Sequence, residues 1–371
     1  MSNREKSYAY MLHNVHGVGN KTLTRLLDEF ATAENIYNAR ENEIRSLMSA
    51  KQLKSFLELR DSWNAEEKLK DILKRGINFC CVTEDEYPAK LKKIPDAPFG
   101  IFYMGSLPDE NKPSVSIIGA RTSSEYGKYA AREFGIGLSE CGVQVISGMA
   151  RGIDGIGQMA AVNYGGSSFA VLGSGVDVCY PPENAKLYDM LRDRGGIISE
   201  YNPGTQPKPA LFPPRNRIIS GLSDVVLVIE ARAKSGTLIT VDMALEQGRE
   251  VFAVPGRICD GLSEGCNSLI RQGAGIATSP EDVVDYLRRH NMNTVNRNNE
   301  KEVNMTDILK DSVQIAVYDV LDMYPQSITQ IYEKVAETGM NTETSAVMNA
   351  LVELSMLGFA GQNCGAFYKK V

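Results

Sequence analysis

Between residues 76 and 290 the chain alternates short, apolar, β-branched runs with amphipathic segments, and this alternation is the feature that most constrains its fold. Six such runs predict buried strands: Val115–Ile118, Val143–Ile146, Phe169–Leu172, Ile197–Ser199, Val225–Ile229 and Val251–Val254. Segments with helical spacing separate them: Glu125–Leu138, Ile153–Asn163, Asn184–Arg194 and Leu238–Gln247. Buried strands that alternate with helices are typical of a parallel sheet covered on both faces. The sequence therefore predicts an α/β fold with a Rossmann-like, doubly wound, mostly parallel sheet over residues 76–290.

Residues 1–75 are predicted to form an all-α domain, because apolar residues recur at helical spacing over Thr22–Phe30 and Ala33–Leu47. Residues 16–22, which read His-Gly-Val-Gly-Asn-Lys-Thr, join two helices. Gly17 and Gly19 permit a tight hairpin, so this segment resembles a helix-hairpin-helix motif, which binds a phosphate through backbone N–H groups. A plain turn between helices explains the same residues. Both interpretations of this SAM-like domain stay open.

A linker rich in asparagine and charge is predicted at residues 291–304, and residues 305–371 predict a small winged-helix domain. Three helical runs precede two short strands: Val313–Leu321, Ile328–Val335 and Thr342–Leu354, then Leu357–Ala360 and Ala366–Lys369. The third run contains no Lys or Arg, although a helix that reads duplex DNA needs such side chains. Its composition favours a structural or protein-contact role over that of a duplex-DNA regulator.

The composition limits the classes of site that the chain can carry. Its seven cysteines are scattered without a C-x-x-C pair, so we expect reduced thiols and no metal site. Three histidines leave few candidates for histidine-based catalysis. No apolar run approaches the roughly 20 residues that cross a bilayer, and no signal-peptide core follows the N-terminus, so we expect a cytoplasmic protein that does not bind a membrane. The net charge of −6 opposes indiscriminate coating of nucleic acid but permits a local basic site.

Glycine and arginine follow the first two predicted strands of the sheet, where parallel sheets bind their ligands. Arg121 ends the Gly-Ala-Arg segment after one strand, and Arg151 lies within the Ser147–Gly152 loop after the next. Guanidinium groups bind phosphate in a bidentate manner, and glycines allow the backbone to approach it closely. The spacing matches neither G-x-G-x-x-G nor G-x-x-x-x-G-K-[ST], so no NAD, ATP or other cofactor is expected.

Two further segments are predicted to reach the same edge of the sheet. No Asp or Glu occurs from residue 201 to 223, whereas Lys208, Arg215 and Arg217 are basic, as in a groove that follows a nucleic-acid backbone. Phe212 offers a ring for base stacking. Ser235, Gly236 and Thr237 begin a helix whose amides and hydroxyls form an anion site.

These segments leave one alternative open. Phe212 can belong to the apolar core, and Arg217 can pair with a buried acid such as Glu200 or Glu230.

A series of motifs follows in order along the central region: GAR, SGMARGID, YPPEN, ISEY, FPPRNRIISGLS, SGTLIT, REVFAVPG and NSLIRQGA. This series resembles the motifs of the DprA/Smf family, the DNA-processing proteins of bacterial natural transformation. The resemblance implies a protein that binds single-stranded DNA in a pocket of the Rossmann-like domain, dimerises through that domain and loads RecA recombinase onto incoming strands.

The resemblance also assigns site residues. It implies that Arg121 is the principal DNA-binding arginine. Ser147, Gly148, Arg151 and Gly152 correspond to a phosphate-binding loop, and Phe212, Arg215 and Asn216 to a second wall. The family's pocket lysine lies three residues before the phenylalanine, where this chain has Pro209, so Lys208 is expected to replace it.

Two alternatives from other classes compete with DNA binding. Nucleotide phosphoribohydrolases of the LOG type share the fold, but Thr240 stands where their catalytic glutamate would be, and a threonine cannot supply that carboxylate. An adaptor with a vestigial pocket would not need Arg121, Arg151, Arg215 and Lys208 around one rim, because unpaired arginines in a cleft are costly unless a ligand uses them.

Overall fold

The protein is described here by a computed structural model, which describes residues 2–290, 292, 309, 311–340, 342–363 and 365–369. The chain divides into two compact units, one over residues 1–123 and 130–296 and the other over residues 124–129 and 297–371. Apart from Met292, the linker predicted at 291–304 lies outside the described residues, as does most of 305–310.

A nine-stranded sheet forms the centre of the first unit. Its strands are β1 (Asn78–Cys81), β2 (Gly100–Gly105), β3 (Ser114–Ile118), β4 (Gln144–Ser147), β5 (Ser168–Val171), β6 (Gly195–Ser199), β7 (Val225–Val228), β8 (Glu250–Ala253) and β9 (Gly275–Ile276). Their order is β1-β2-β6-β5-β4-β3-β7-β8-β9, and the seven strands from β6 to β9 in this order are parallel. The predicted mostly parallel, Rossmann-like fold is confirmed.

The chain reverses its direction across the sheet at one place. From β3 it proceeds through β4 and β5 to β6, and it then returns to β7 on the other side of β3. Ser116 of β3 pairs with Ile146 of β4 on one side and with Val226 of β7 on the other. The loops that follow β3 and β7 therefore border a crevice at the carboxyl ends of the strands, where such sheets bind ligands.

Three strands of the sheet were not predicted. β1 pairs antiparallel with β2, and β2 pairs antiparallel with β6, so these two extend the sheet at one edge. β9 contains two residues at the other edge. Their sequences lack β-branched runs, since β1 reads Asn-Phe-Cys-Cys and β9 reads Gly-Ile.

Fourteen α-helices are described up to residue 290: α1 (Asn3–His13), α2 (Asn20–Phe30), α3 (Ala33–Asn38), α4 (Glu41–Ile44), α5 (Ala50–Ser62), α6 (Ala65–Lys74), α7 (Ala89–Lys92), α8 (Glu125–Glu140), α9 (Ile153–Asn163), α10 (Ala185–Arg194), α11 (Phe212–Gly221), α12 (Gly236–Glu246), α13 (Glu264–Arg271) and α14 (Pro280–Arg289). The helix predicted over Ala33–Leu47 is split because Ala39 is extended and the Glu43 carboxylate accepts the Arg40 N–H. No helix in the described ranges combines the length and apolarity that crossing a membrane requires.

The apolar core lies on both faces of the sheet. Leu12, Phe56 and Leu187 belong to the cluster on one face, and Ile218 and Val241 belong to the cluster on the other. Helices α1–α6 share the first cluster with the sheet, so they form one compact unit with it, whereas the sequence predicts a domain boundary near residue 75. A separate function for residues 1–75 stays a prediction.

The second unit contains α15 (Ser312–Val320), α16 (Ile328–Glu337) and α17 (Thr344–Met356), followed by the hairpin of β10 (Ala360–Asn363) and β11 (Ala366–Lys369). Val317, Ile331 and Leu351 are buried in its own core. β10 begins later than predicted because Gly358, with φ of 85°, ends the turn after α17. Three helices before a hairpin agree with the predicted order of elements, and the winged-helix assignment itself stays a prediction.

Candidate nucleic-acid interface

A cavity of about 410 Å³, here called the large cavity, occupies the crevice between the ends of β3 and β7. Its volume lies in the range of sites for small ligands, roughly 300–1,000 Å³. It is lined by residues from four loops and the helices that follow them: Ile118, Gly119, Ala120, Arg121, Ala150, Asp154, Phe212, Pro213, Arg215, Asn216, Ile219, Ser235, Gly236, Thr237, Ile239 and Thr240. The motifs predicted to converge on this edge therefore meet in one cavity.

Arg121 is an exposed cation at the mouth of the large cavity. Its guanidinium carbon lies 5.8 Å from the centroid of the Phe212 ring. Within the described ranges it forms no salt bridge. The loop after β4 supports its backbone: Gly152 has φ of 74°, and a Cβ there would lie 2.3 Å from the Ala120 carbonyl oxygen. Arg121 is thus held in place while its charge remains available to an anion.

Arg215, a residue of α11, supplies a second positive charge to the lining of the large cavity. It is buried and donates from Nη1 to the carbonyl oxygens of Gly148, at 2.9 Å, and Val171. Burial lowers the pKa of Arg215 to about 10, and Asp154 opposes this shift. The side chain therefore stays charged at neutral pH, in surroundings that screen its charge poorly. Gly148 makes room for it, since a Cβ there would lie 2.8 Å from the guanidinium nitrogens.

The loop after β4 turns its predicted phosphate-binding groups inward. The Ser147 hydroxyl is buried and donates to the Ile117 carbonyl at 2.7 Å, and the Gly148 N–H donates to the Asp154 carboxylate at 3.1 Å. The pKa of Asp154 is raised by burial, and the charge of Arg215 and the bond from the Gly148 N–H oppose this rise. The Asp154 carboxylate thus accepts the Gly148 N–H, which the sequence analysis assigned to a phosphate. The Ser147 hydroxyl and the Gly148 N–H are therefore bonded within the protein and stabilise the loop.

Arg151 and Gly152 complete this loop. Arg151 is exposed and forms a salt bridge with Glu183. It also lines a smaller cavity of about 40 Å³, here called the small cavity, which shares Arg121, Phe212 and Arg215 with the large one. The two cavities therefore adjoin each other at these side chains.

Phe212, the first residue of α11, lines both cavities. Its ring stacks on Tyr180, with the centroids 5.6 Å apart and the planes at 29°. It also lies close to the backbone after β5, because a Cβ at Gly173 would be 2.6 Å from the ring. Asn216, one turn further along α11, lines the large cavity. Sequence analysis missed Tyr180 as a site residue, although it belongs to the quoted YPPEN motif.

Ser235, Gly236 and Thr237 form the opposite wall of the large cavity, at the start of α12. The Ser235 hydroxyl caps this helix by accepting the Thr237 N–H at 3.2 Å. Gly236 faces open space, since a Cβ there would meet no atom within 4 Å. Arg232 and Lys234, which sequence analysis did not select, are exposed in the loop just before this wall.

Four predicted site residues lie outside both cavity linings: Ser147 and Gly152, whose contacts are given above, and Lys208 and Arg217. Lys208 is exposed before α11, four residues from Phe212. Arg217 is buried, and its Nη2 binds both carboxylate oxygens of Glu200 at 2.8 and 2.9 Å. The prediction that Arg217 binds DNA is thus replaced by the alternative that it pairs with Glu200, because α11 directs it away from the cavity.

Among the described residues, one group has the composition of a metal site: Cys80, Glu84 and Glu86. The ammonium group of Lys6 lies 3.0 Å from Glu84 and 2.9 Å from Glu86. Burial raises the pKa of the Cys80 thiol far above its usual range. A lysine therefore already balances these carboxylates, and the group does not resemble a metal centre.

Comparison with known proteins relates this site to one family. The sequence profile described as DNA recombination-mediator protein A matches residues 78–288. The DNA processing protein DprA of Streptococcus pneumoniae is 45% identical over 203 residues, which cover 55% of this chain and 72% of that protein. The X-ray structure of DprA from the same organism matches with a TM-score of 0.67 and 36% identity, over 77% of this chain and 98% of that one.

A structure of DNA processing protein A from Helicobacter pylori, which concerns its single-stranded DNA binding mode, matches with a TM-score of 0.52 and 26% identity. It covers 58% of this chain and 96% of that one.

Proposed function

Because this chain belongs to the DNA recombination-mediator protein A family, we propose that it binds single-stranded DNA in the crevice between β3 and β7. One observation carries the proposal: Arg121, without a salt bridge among the described residues, lies beside the stacked rings of Phe212 and Tyr180. Guanidinium groups bind phosphates, and aromatic rings stack on bases that are not paired in a duplex. The Helicobacter pylori relative, whose structure concerns single-stranded DNA binding, supports the same ligand.

Binding should be independent of base sequence. The lining of both cavities consists mainly of arginine, glycine, hydroxyl and apolar groups. Such groups contact phosphates and ring faces, whereas base identity is read by side chains that bond to base edges. We therefore expect the protein to hold and protect strands of any sequence.

The test is fluorescence anisotropy with a labelled oligo-dT and a matched duplex at several salt concentrations. We expect at least tenfold tighter binding to the single strand. Each phosphate contact to a single strand contributes about −0.7 to the slope of log K against log salt. The three cations of the two cavity linings, Arg121, Arg151 and Arg215, therefore predict a slope of about −2. Equal affinity for duplex, or a slope near zero, would show that the crevice does not bind the backbone of single strands.

The protein is proposed to bind DNA without catalysing a reaction. Thr240 is buried and lines the large cavity where the LOG-type enzymes have their glutamate. Asp154 is the one carboxyl residue in that lining, and it is bonded to the Gly148 N–H. An acid held by the backbone in this way is poorly suited to proton transfer with a ligand. The unpaired Arg121 at the mouth likewise favours a binding site over an adaptor with a vestigial pocket.

As a recombination mediator, the protein is further proposed to load RecA onto the strand that it holds, in the cytoplasm, during natural transformation. This proposal rests on the resemblance to the DprA/Smf family and on the family description, which names mediation of recombination. RecA-dependent strand exchange on oligonucleotides that already carry a single-strand-binding protein measures this step directly.

A homodimer through the Rossmann-like unit is also proposed. β9 ends the sheet with only two residues and pairs with β8, against which α12 packs. Both β9 and α12 carry an exposed apolar side chain: Ile276 of β9 is 53% exposed and Leu245 of α12 is 59% exposed. Exposed apolar residues at a sheet edge are typical of interaction surfaces.

The combined Leu245→Glu and Ile276→Arg variant should therefore run as a monomer where the wild type runs as a dimer, as measured by light scattering after size exclusion. Leu73→Glu on α6, where the side chain is 44% exposed, is the matched control and should leave the mass unchanged. A variant that stays dimeric places the interface elsewhere.

A further inference from the structure

We propose that Tyr180 is the residue on which a nucleobase stacks, and that Phe212 supports it from behind. This inference rests on the proposed binding of single-stranded DNA and assigns a base-binding role to a residue that sequence analysis did not select. The ligand group is a nucleobase of any kind, because every base has an aromatic face.

The surroundings of Phe212 leave little of its ring for a base. Tyr180 stacks on it at a centroid distance of 5.6 Å. The guanidinium carbons of Arg121 and Arg215 lie 5.8 and 6.0 Å from its centroid. The backbone of Gly173 approaches it so closely that a Cβ there would lie 2.6 Å from the ring. Phe212 is thus packed on several sides.

Tyr180 has the opposite character. One face of its ring covers Phe212, and the side chain is 37% exposed, which makes it one of the exposed large apolar residues of the described chain. A base that covered this ring would remove apolar surface from water, which favours binding. Tyr180 also lines the small cavity together with Arg121 and Arg151, so a base on its outer face would lie next to cations that bind the adjoining phosphates.

The loop that carries Tyr180 is fixed to the loop after β4. Asn184 donates from Nδ2 to the carbonyl oxygens of Met149, at 2.9 Å, and Ala150, at 3.2 Å. The salt bridge between Arg151 and Glu183 joins the same two loops. The ring is therefore held in position before a ligand arrives, which reduces the entropy lost when a base stacks on it.

The experiment compares Tyr180→Ser with Tyr180→Phe on oligo-dT and on an oligonucleotide of equal length made of abasic sugar-phosphate units. We expect Tyr180→Ser to weaken oligo-dT binding roughly tenfold, with an unchanged salt slope because no phosphate contact is lost. Tyr180→Phe keeps the ring face and should bind as the wild type does. On the abasic strand all three proteins should bind equally.

Three results overturn the proposal: wild-type affinity of Tyr180→Ser for oligo-dT, an equal loss in Tyr180→Phe, or an equal loss of Tyr180→Ser on the abasic strand. The last would show that Tyr180 acts only by positioning the arginines. If the wild type itself does not bind oligo-dT, the proposed binding of single-stranded DNA is wrong. This result is obtained before any variant is compared, so it is distinguished from a failure of the Tyr180 proposal.

A second measurement does not depend on a loss of binding. Tyr180→Trp adds a tryptophan to a chain that has only Trp63. Stacking should quench its fluorescence when oligo-dT binds and leave it unquenched when the abasic strand binds. Equal quenching by both strands contradicts base stacking at this position.

Discussion

Arg121→Glu is expected to weaken binding of oligo-dT by about 30- to 100-fold at low salt. A hydrogen bond to a charged group contributes about 1.5–3 kcal/mol, and about 1.4 kcal/mol corresponds to a tenfold change in affinity. The new carboxylate adds repulsion of the phosphates. The effect should be large because Arg121 lines both cavities and, among the described residues, has no acidic partner that a phosphate must displace.

The measurement is the same anisotropy titration at several salt concentrations. The magnitude of the salt slope should fall by about 0.7, which corresponds to one phosphate contact. Arg132→Glu is the matched control, because Arg132 is exposed on α8 and belongs to neither cavity lining. It makes the same change in net charge and should alter affinity only slightly. A similar loss in both variants would mean that overall charge, and not the crevice, governs binding.

The positions of six of the nine strands in the sheet could be predicted from the sequence, whereas the directions of the side chains could not. β-branched runs identify β3, β4 and β7, and parallel strands bring their carboxyl ends together, so Arg121 and Phe212 were predicted at one edge. Whether a side chain points into the cavity depends on the face of α11 that packs on the sheet. Arg215 lines the cavity, whereas Arg217, two residues on, binds Glu200.

Side-chain and N–H directions also could not be predicted for the loop after β4, which the sequence analysis assigned to phosphate binding. A glycine-rich loop at a helix N-terminus is typical of a phosphate site. Here Asp154, in the first turn of α9, accepts the Gly148 N–H instead. Tyr180 was missed for a related reason, because its stacking on Phe212 joins residues 32 positions apart whose contact no local pattern indicates.

Glu200→Ala is expected to lower the free energy of unfolding of the first unit by about 3 kcal/mol, the low end of the cost of breaking a buried ion pair. The loss is not larger because Arg217 keeps a second, half-exposed partner, the Asp96 carboxylate at 3.3 Å. Glu200 accepts two bonds from Arg217 and one, at 2.8 Å, from the side-chain amide of Asn20. This carboxylate therefore joins α2 and α11 to the end of β6. Trp63 belongs to the same compact unit, so its fluorescence during urea denaturation measures the loss.

Glu58→Ala is the matched control for this substitution, because Glu58 pairs with Lys54 on the exposed side of α5. Exposed pairs of this kind contribute only about 0.3–0.5 kcal/mol, so this variant should unfold close to the wild type.

A double-mutant cycle then tests whether the ion pair itself is the cause. Arg217→Met removes the charge that Glu200→Ala leaves with only the half-exposed Asp96 carboxylate, so the double variant should be more stable than the sum of the single losses by about 1–2 kcal/mol. Additive losses would instead assign the effect to the separate contacts of the two side chains, such as that of Arg217 with the Asp96 carbonyl at 2.8 Å. The variants can also be tested for oligo-dT binding under conditions in which they remain folded. Weaker binding together with non-additive losses of stability would indicate that the ion pair fixes α11, and with it Phe212 and Arg215, against the sheet.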